Sequence, residues 1–308
     1  MKMISRRNLL KTTGAVAAAE SLNSSGLSGM AQAAGNGSAK PRTLVLMGDA
    51  AHNSDVIRVS LDRLFKELDL PVDYTTNYYD LSASMLKPYK IFLPFRDSRD
   101  AMIQPGTFGD LGPQPSTEVA PPGGSAGAGG RGAGGGRGGG GFATWITEEQ
   151  GQAVKDFVNA GNGLYALHNS CDMSTGSKNF RDVMGGLYNG HPALRPFKVR
   201  VVNKEHPITQ GVEDFMVTDE QHFPVYDKDP KYLLLRGENV DGLTFRHLAG
   251  PGAGAGEIED TVSNSGWAYE YGKGRVVFTA MGHTIHTMWE PQHLKLQKNA
   301  VNWLLKKI

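Results

Sequence analysis

The sequence predicts one α/β domain, a mainly parallel sheet with helices on both faces. Three observations predict it. Short apolar runs of strand length recur at Thr43 to Met47, Ile91 to Phe95, Leu164 to Leu167 and Arg275 to Ala280. Between them lie stretches with apolar residues at helical spacing, such as Val56, Ile57, Leu61, Leu64, Phe65 and Leu68. Each apolar run also ends in a cluster of polar residues, as strands leading into a ligand crevice do.

The first run passes into the loop Gly48-Asp49-Ala50-Ala51-His52-Asn53 and then a helix from Ser54 to Leu68. Val72 to Tyr74 is a second strand and Ile91 to Phe95 a third, followed by the polar loop Arg96 to Asp100. Thr147 ahead of Glu148, Glu149 and Gln150 has the form of a capping box. The helix it opens turns Val154, Phe157 and Val158 to one side and ends at Gly161. Leu164 to Leu167 is the next strand, ending at His168, and a short helix lies near Phe180 to Met184. Val199 to Val202 and the region to Arg236 read as extra strands and loops. Trp267 to Tyr271, the turn Gly272-Lys273-Gly274 and Arg275 to Ala280 make a hairpin, followed by a loop from Met281 to Glu290 and a final helix from Pro291 to Lys307.

With 39% hydrophobic and 20% charged residues and one cysteine in 308, the chain is neither disordered overall, a coiled coil nor a disulfide-built miniprotein. Its glycine excess is local. Thirteen of 40 glycines fall within residues 121–141, inside a low-complexity insert at about 101–141. The glycine-rich part has no apolar side chain larger than alanine, too little to offset the entropy of ordering it.

The formal charge of +1 conceals a leader carrying Lys2, Arg6, Arg7 and Lys11 against Glu20, so the chain beyond residue 33 carries −2. Without a basic run there is no electrostatic footprint for nucleic acid, and no stretch of about 18 apolar residues offers a stable membrane anchor. Ser5-Arg6-Arg7-Asn8-Leu9-Leu10-Lys11 resembles the twin-arginine export motif, and Ala31-Gln32-Ala33 has the form of a cleavage site. Residues 1–33 are therefore read as a signal peptide and 42–308 as the mature domain. The twin-arginine export machinery is the expected partner, and a periplasmic or secreted location follows. Such export carries folded chains, which permits a cofactor to be loaded first. Cys171, being alone, forms no internal disulfide.

Ligands of parallel sheets bind beyond the carboxyl ends of the strands. The residues there are Asp49, His52 and Asn53, then Arg96 and Asp97, then His168 and Asn169, then His283 and His286. Three histidines thus follow three different strands. His168 can act as acid or base, donate to an oxyanion or bind metal. Cys171 offers a nucleophile of the amidotransferase kind, though three residues past the strand end. Gly190-His191-Pro192, His206-Pro207-Ile208-Thr209 and Asp219-Glu220-Gln221-His222 lie outside the simple alternation, in segments expected to overhang the crevice. Asp219 and Glu220 would face opposite sides if extended, whereas Glu220 and His222 would share a face, a spacing that suits an acid/base pair or a metal half-site. A zinc-protease His-Glu-x-x-His, a Walker loop and a Gly-x-Ser-x-Gly elbow are all absent.

The order of these motifs, closing with Tyr271-Gly272-Lys273-Gly274-Arg275-Val276-Val277-Phe278 and Gly282-His283, resembles the trehalose-utilisation, or ThuA-like, family over about residues 42–308. That resemblance implies the flavodoxin-like fold of the class I glutamine amidotransferase-like superfamily and a role in carbohydrate metabolism, including sugars oxidised to 3-keto forms. It implies a pocket containing His52, His168, His191, His206, Asp219, Glu220 and His283. Two departures stand out: His222 where the family commonly has tyrosine, and the glycine-rich insert. The expected ligand is a small carbohydrate, the expected activity a lyase or hydrolase acting on a glycoside or 3-keto-glycoside. His168 is the candidate base, with Glu220 or His283 as acid or orienting group. Asp49, His52, Asn169, His191, His206, Asp219 and His222 are the candidate substrate contacts. Whether a divalent metal sits among these residues stays open, as does the rival reading of a carbohydrate-binding or accessory protein without turnover.

Replacing Arg6 and Arg7 by Lys is expected to leave the precursor in the cytoplasm, as fractionation and immunoblotting would report; unchanged export would show the motif to be accidental.

Overall fold

A computed structural model describes residues 40–100, 144–248 and 257–308. The signal segment 1–33 and the insert at about 101–141 lie outside the described residues.

The element order is β1 (Thr43–Met47), α1 (Ser54–Glu67), β2 (Val72–Thr75), α2 (Ala83–Leu86), β3 (Ile91–Phe95), α3 (Glu148–Asn159), β4 (Gly163–Leu167) and α4 (Lys178–Met184). There follow β5 (Gly186–Leu187), β6 (Arg195–Val201), β7 (Phe215–Asp219), β8 (Val225–Tyr226), β9 (Leu233–Asn239), β10 (Phe245–Leu248) and β11 (Glu257–Asp260). The chain closes with β12 (Val262–Tyr271), β13 (Gly274–Thr279), α5 (Ile285–Met288) and α6 (Pro291–Leu304).

Nine strands form one sheet in the order β2-β1-β3-β4-β13-β12-β9-β6-β7. The first five run parallel, in the flavodoxin-like order. The last four are joined antiparallel, so the extra strands expected after residue 199 widen the same sheet. Strands β1, β3 and β4 are buried at every position, because helices cover both faces. Helices α1 and α6 pack on one face and α3 and α4 on the other. The three central parallel strands are thus almost wholly apolar, and many of the buried polar side chains, Asp49, Asp97, His168 and His283 among them, lie past the strand ends.

Local chemistry explains the helix starts that fix those ends. The Asn53 side chain caps α1, accepting from the backbone N–H of Asp55 at 2.8 Å and Val56 at 3.3 Å. This makes the residue after His52 the helix cap and sets where the β1 loop stops. Thr147 and Gln150 form the capping box reciprocally, at 3.2 and 2.9 Å. Gln150 Nε2 also donates to the carbonyls of Tyr78 and Tyr79, tying α3 to the chain before α2. The hairpin turns through Gly272 at φ +58°, a left-handed conformation that suits glycine. The stretch Met281 to Glu290, expected to be loop, contains the single-turn helix α5, capped by Thr284.

Thr147→Ala is expected to lower stability by about 1 kcal/mol. Gln150→Ala should cost roughly 2 kcal/mol, because it also removes the two side-chain bonds to the Tyr78 and Tyr79 carbonyls. Urea denaturation of both variants checks the order.

Candidate functional site

The carboxyl ends of β1, β4 and β13 deliver His52, His168 and His283 to one place. Ring centroids of His52 and His168 are 5.0 Å apart, those of His52 and His283 5.0 Å, and those of His168 and His283 5.6 Å. From the antiparallel side, the chain after β7 brings Glu220 and His222, and the chain after β5 brings His191. His222 stacks on His168 at 4.2 Å and on His191 at 4.9 Å. A single oxygen, Glu220 Oε2, faces four imidazole nitrogens: His283 Nδ1 at 3.2 Å, His168 Nε2 at 3.4 Å, and His191 Nε2 and His222 Nε2 at 3.5 Å.

Each histidine at the back of the cluster is held from behind. Asp49 Oδ1 accepts from the backbone N–H of Ala51 and His52 and lies 2.8 Å from His52 Nδ1, while Oδ2 accepts from Asp97 N–H at 3.1 Å and Asn169 Nδ2 at 2.5 Å. His168 Nδ1 lies 2.7 Å from the Ala280 carbonyl oxygen, which leaves Nε2 aimed at the cluster. Its backbone has φ +48°, the left-handed region, rarely used by side-chain-bearing residues and often found at sites that need one particular direction. Gly282 passes so close that a Cβ there would stand 2.8 Å from His168 Cβ. Asp219 accepts from the backbone N–H of Gly282 at 3.2 Å and His283 at 3.1 Å. Asp219 therefore fixes the His283 loop.

Gln221 turns the other way and donates to the Gly237 carbonyl at 2.9 Å, which sends its neighbours Glu220 and His222 to the site side. Phe223 N–H donates to the Gly190 carbonyl at 2.9 Å and joins the His222 segment to the His191 turn. His191 Nδ1 lies 2.8 Å from the Pro192 carbonyl, so its Nε2 faces Glu220.

Electrostatics follow from burial and crowding. Burial alone would raise the Asp49 carboxyl, but His52 and the N–H donors around it hold it well below the usual carboxylate range. Glu220 is likewise penalised by burial and held well below its ordinary value by His191 and the other three rings. Burial pushes His52 down despite Asp49, and pushes His222 far down with help from His168. Both rings are thus neutral, the form that binds metal or accepts a proton. His283 goes the other way: burial lowers it, yet Glu220 next to it raises it on balance.

In front of the cluster opens a small recess with a cavity volume of about 80 Å³. His52, Glu220, His191 and His222 reach it from the cluster, and Asp97, Asp172 and Tyr188 also line it. Burial and the charge of Asp49 push the Asp97 carboxyl up to about 7, although Arg99 pairs with it. Asp172 accepts from Ser98 Oγ at 2.7 Å, tying the loop after β3 to the segment after β4. Strand-end reasoning flagged Asp97 without assigning it a role; Arg99, Asp172 and Tyr188 were not singled out, Asp172 reaching the recess from the 3-10 helix His168–Thr175 and Tyr188 from the chain just past β5.

His206 lies elsewhere. It caps the 3-10 turn Pro207–Thr209 by accepting from Ile208 N–H at 3.2 Å and packs on Trp303 at 5.1 Å. Trp303 in turn lies under Arg275 at the start of β13, the opposite end of the sheet from His283. A Pro-punctuated turn against α6, rather than a pocket contact, accounts for the His206 motif. His286 is exposed on α5, and Cys171 is fully buried, its thiol pushed up by burial and Asp172, so it offers no thiolate.

The fold and the site define an α/β protein with a histidine–carboxylate centre at the carboxyl edge of its parallel strands. Residues 140–304 match the family model described as trehalose utilisation, and residues 3–19 that of the twin-arginine translocation signal. The chain belongs to the ThuA family, and it is exported by the twin-arginine route to the periplasm or beyond. Among the described residues no helix is long and apolar enough to cross a membrane. A ThuA-like protein of Bacteroides uniformis superposes with TM-score 0.52 at 17% identity, covering 89% of this chain and 96% of that one. One from Parabacteroides merdae gives 0.54 at 15%, covering 87% and 91%. Among curated proteins none matches.

Asp49→Ala is expected to cost about 2–4 kcal/mol, since three backbone N–H groups, two of them buried, and Asn169 lose their acceptor. His206→Ala should cost about 1 kcal/mol. Chemical denaturation of the two variants tests this division of labour.

Proposed function

We propose that this exported, carbohydrate-related protein is an enzyme acting on a glycoside or 3-keto-glycoside, its proton transfers carried by the Glu220–histidine centre. The observation that supports this most is the single buried carboxylate oxygen facing four imidazole nitrogens at the floor of a recess. A 3-keto group acidifies the proton on C2. A base removes that proton, the C1–O bond breaks, and an acid returns a proton to the departing oxygen; the products are an unsaturated ketone and an alcohol, with no oxidant consumed.

The distribution of exposure divides the roles. His168 is wholly buried behind Glu220, whereas Glu220 and His191 reach the recess. In this reading Glu220 and His191 face the sugar, and His168 and His283 hold the charge and direction of Glu220. Asp97, raised by burial and by Asp49 and held by Arg99, lines the same recess. Tyr188 supplies a flat face to the ring.

The purified chain is expected to convert 3-keto-trehalose, and not trehalose, to products visible by mass spectrometry. Glu220→Gln and His191→Ala should each lower kcat by about 10²–10⁴-fold, with stability held within about 1 kcal/mol for His191→Ala and His206→Ala retaining activity. Saturable binding of the keto sugar without any product would instead establish the accessory, non-catalytic reading.

A further inference from the structure

We infer that His52, His168, His283 and Glu220 together bind one divalent transition-metal ion of the zinc class. The inference rests on the reading of this centre as the reactive one and names the group that completes it.

Three observations carry it. The Nε2 atoms of His52 and His168 and both ring nitrogens of His283 are buried and make no hydrogen bond. Buried polar atoms ordinarily find partners, so several unpaired ones aimed at a common point call for something between them. The donor atoms of the four residues all lie within 4.8 Å of one another. Ligands of a zinc-like ion, bound at about 2.0–2.2 Å, stand about 3.3–3.6 Å from each other in a tetrahedron. Glu220 Oε2 already lies 3.4 Å from His168 Nε2 and 3.2 Å from His283 Nδ1.

The groups behind the ligands are the kind a metal site needs. Asp49 faces the far nitrogen of His52, the Ala280 carbonyl faces that of His168, and Asp219 pins the backbone of His283. Such outer partners fix which ring nitrogen is free and where it points. The donor set, three imidazoles with one carboxylate, suits zinc, iron, manganese or cobalt rather than calcium or magnesium. His191 and His222 also approach Glu220, but His191 borders the open recess. His168 and His283 lie behind His52 and Glu220, which line the recess, so an ion held by the four would sit at its inner wall as a Lewis acid toward the ketone of a bound sugar, with Glu220 a ligand and His191 carrying the proton transfer.

The test uses the mature chain, stripped with chelator, reloaded with Zn²⁺, dialysed and analysed by plasma mass spectrometry. One zinc per chain is expected, and Co²⁺ in its place should give the visible absorption of a nitrogen- and oxygen-ligated ion. The double substitution His52→Ala with His283→Ala should reduce bound zinc at least tenfold, while His206→Ala should retain the full equivalent. If the double variant does not fold, Glu220→Gln, which preserves shape, should still weaken zinc binding at least tenfold by calorimetric titration. Failure of the wild-type chain to retain zinc or cobalt, or undiminished retention in a folded double variant, overturns the metal site. Zinc bound at one equivalent with no conversion of the keto sugar supports the site and overturns the proposed reaction. Turnover in chelator-stripped, metal-free protein overturns the metal's part in that reaction and leaves the acid–base reading in place.

Discussion

Glu220 Oε2 lies within 3.5 Å of nitrogens from four imidazoles, in a place where water has little access. A carboxylate taken out of water and ring nitrogens left without hydrogen bonds are both costly, so the surrounding structure must hold them against their tendency to separate. It does so with two further carboxylates one layer out. Asp49 gathers the loop after β1 with those after β3 and β4, and Asp219 gathers the loop after β13. Each satisfies backbone N–H groups at strand ends while turning a histidine inward. The crowding also explains Gly282, where any side chain would run into His168 and Phe95.

This arrangement depends on the polarity of the sheet. Parallel strands place all their carboxyl ends on one edge, so three residues separated by more than a hundred positions in sequence become neighbours once β1, β3, β4 and β13 pair. The antiparallel half contributes differently. Asp219 is the last residue of β7, and the chain breaks from the sheet there, so Glu220 and His222 reach the cluster from an irregular segment.

Those two modes of delivery set what was legible in the sequence. Strand runs and helix caps placed β1, β3, β4 and α3 within a residue or so, and the strand-end rule then drew attention to Asp49, His52, His168 and His283. The sharing of one side by Glu220 and His222 was readable from their spacing, although Gln221, bonded to the β9 backbone, and not a regular strand, is what enforces it. His191 and His206 looked alike, each beside a proline in the stretch outside the alternation. One faces Glu220 and the other caps a turn at the far end of the sheet, a distinction fixed by how β6, β7 and β9 extend the sheet. The recess wall formed by Arg99, Asp172 and Tyr188 arises from long-range packing, which local spacing does not encode.

The character of the recess bears on the choice between turnover and binding alone. A site that only holds a sugar needs hydrogen-bonding groups that are free to meet hydroxyls and gains nothing from burying ionisable groups against one another. Here the polar groups on the inner side are spent on each other: Asp49 on His52, Glu220 on its ring of imidazoles. His168, moreover, is held with left-handed backbone, a cost that persists only where the packing around it over-determines one direction. Imidazoles lowered by burial, a carboxylate held well below its ordinary range and a raised Asp97 within one small volume are what support the proposed acid–base reading. Export by a route that carries folded chains fits the same logic, because a centre assembled from four strand ends forms only when the sheet does, and any ion it holds can be loaded before the chain leaves the cytoplasm.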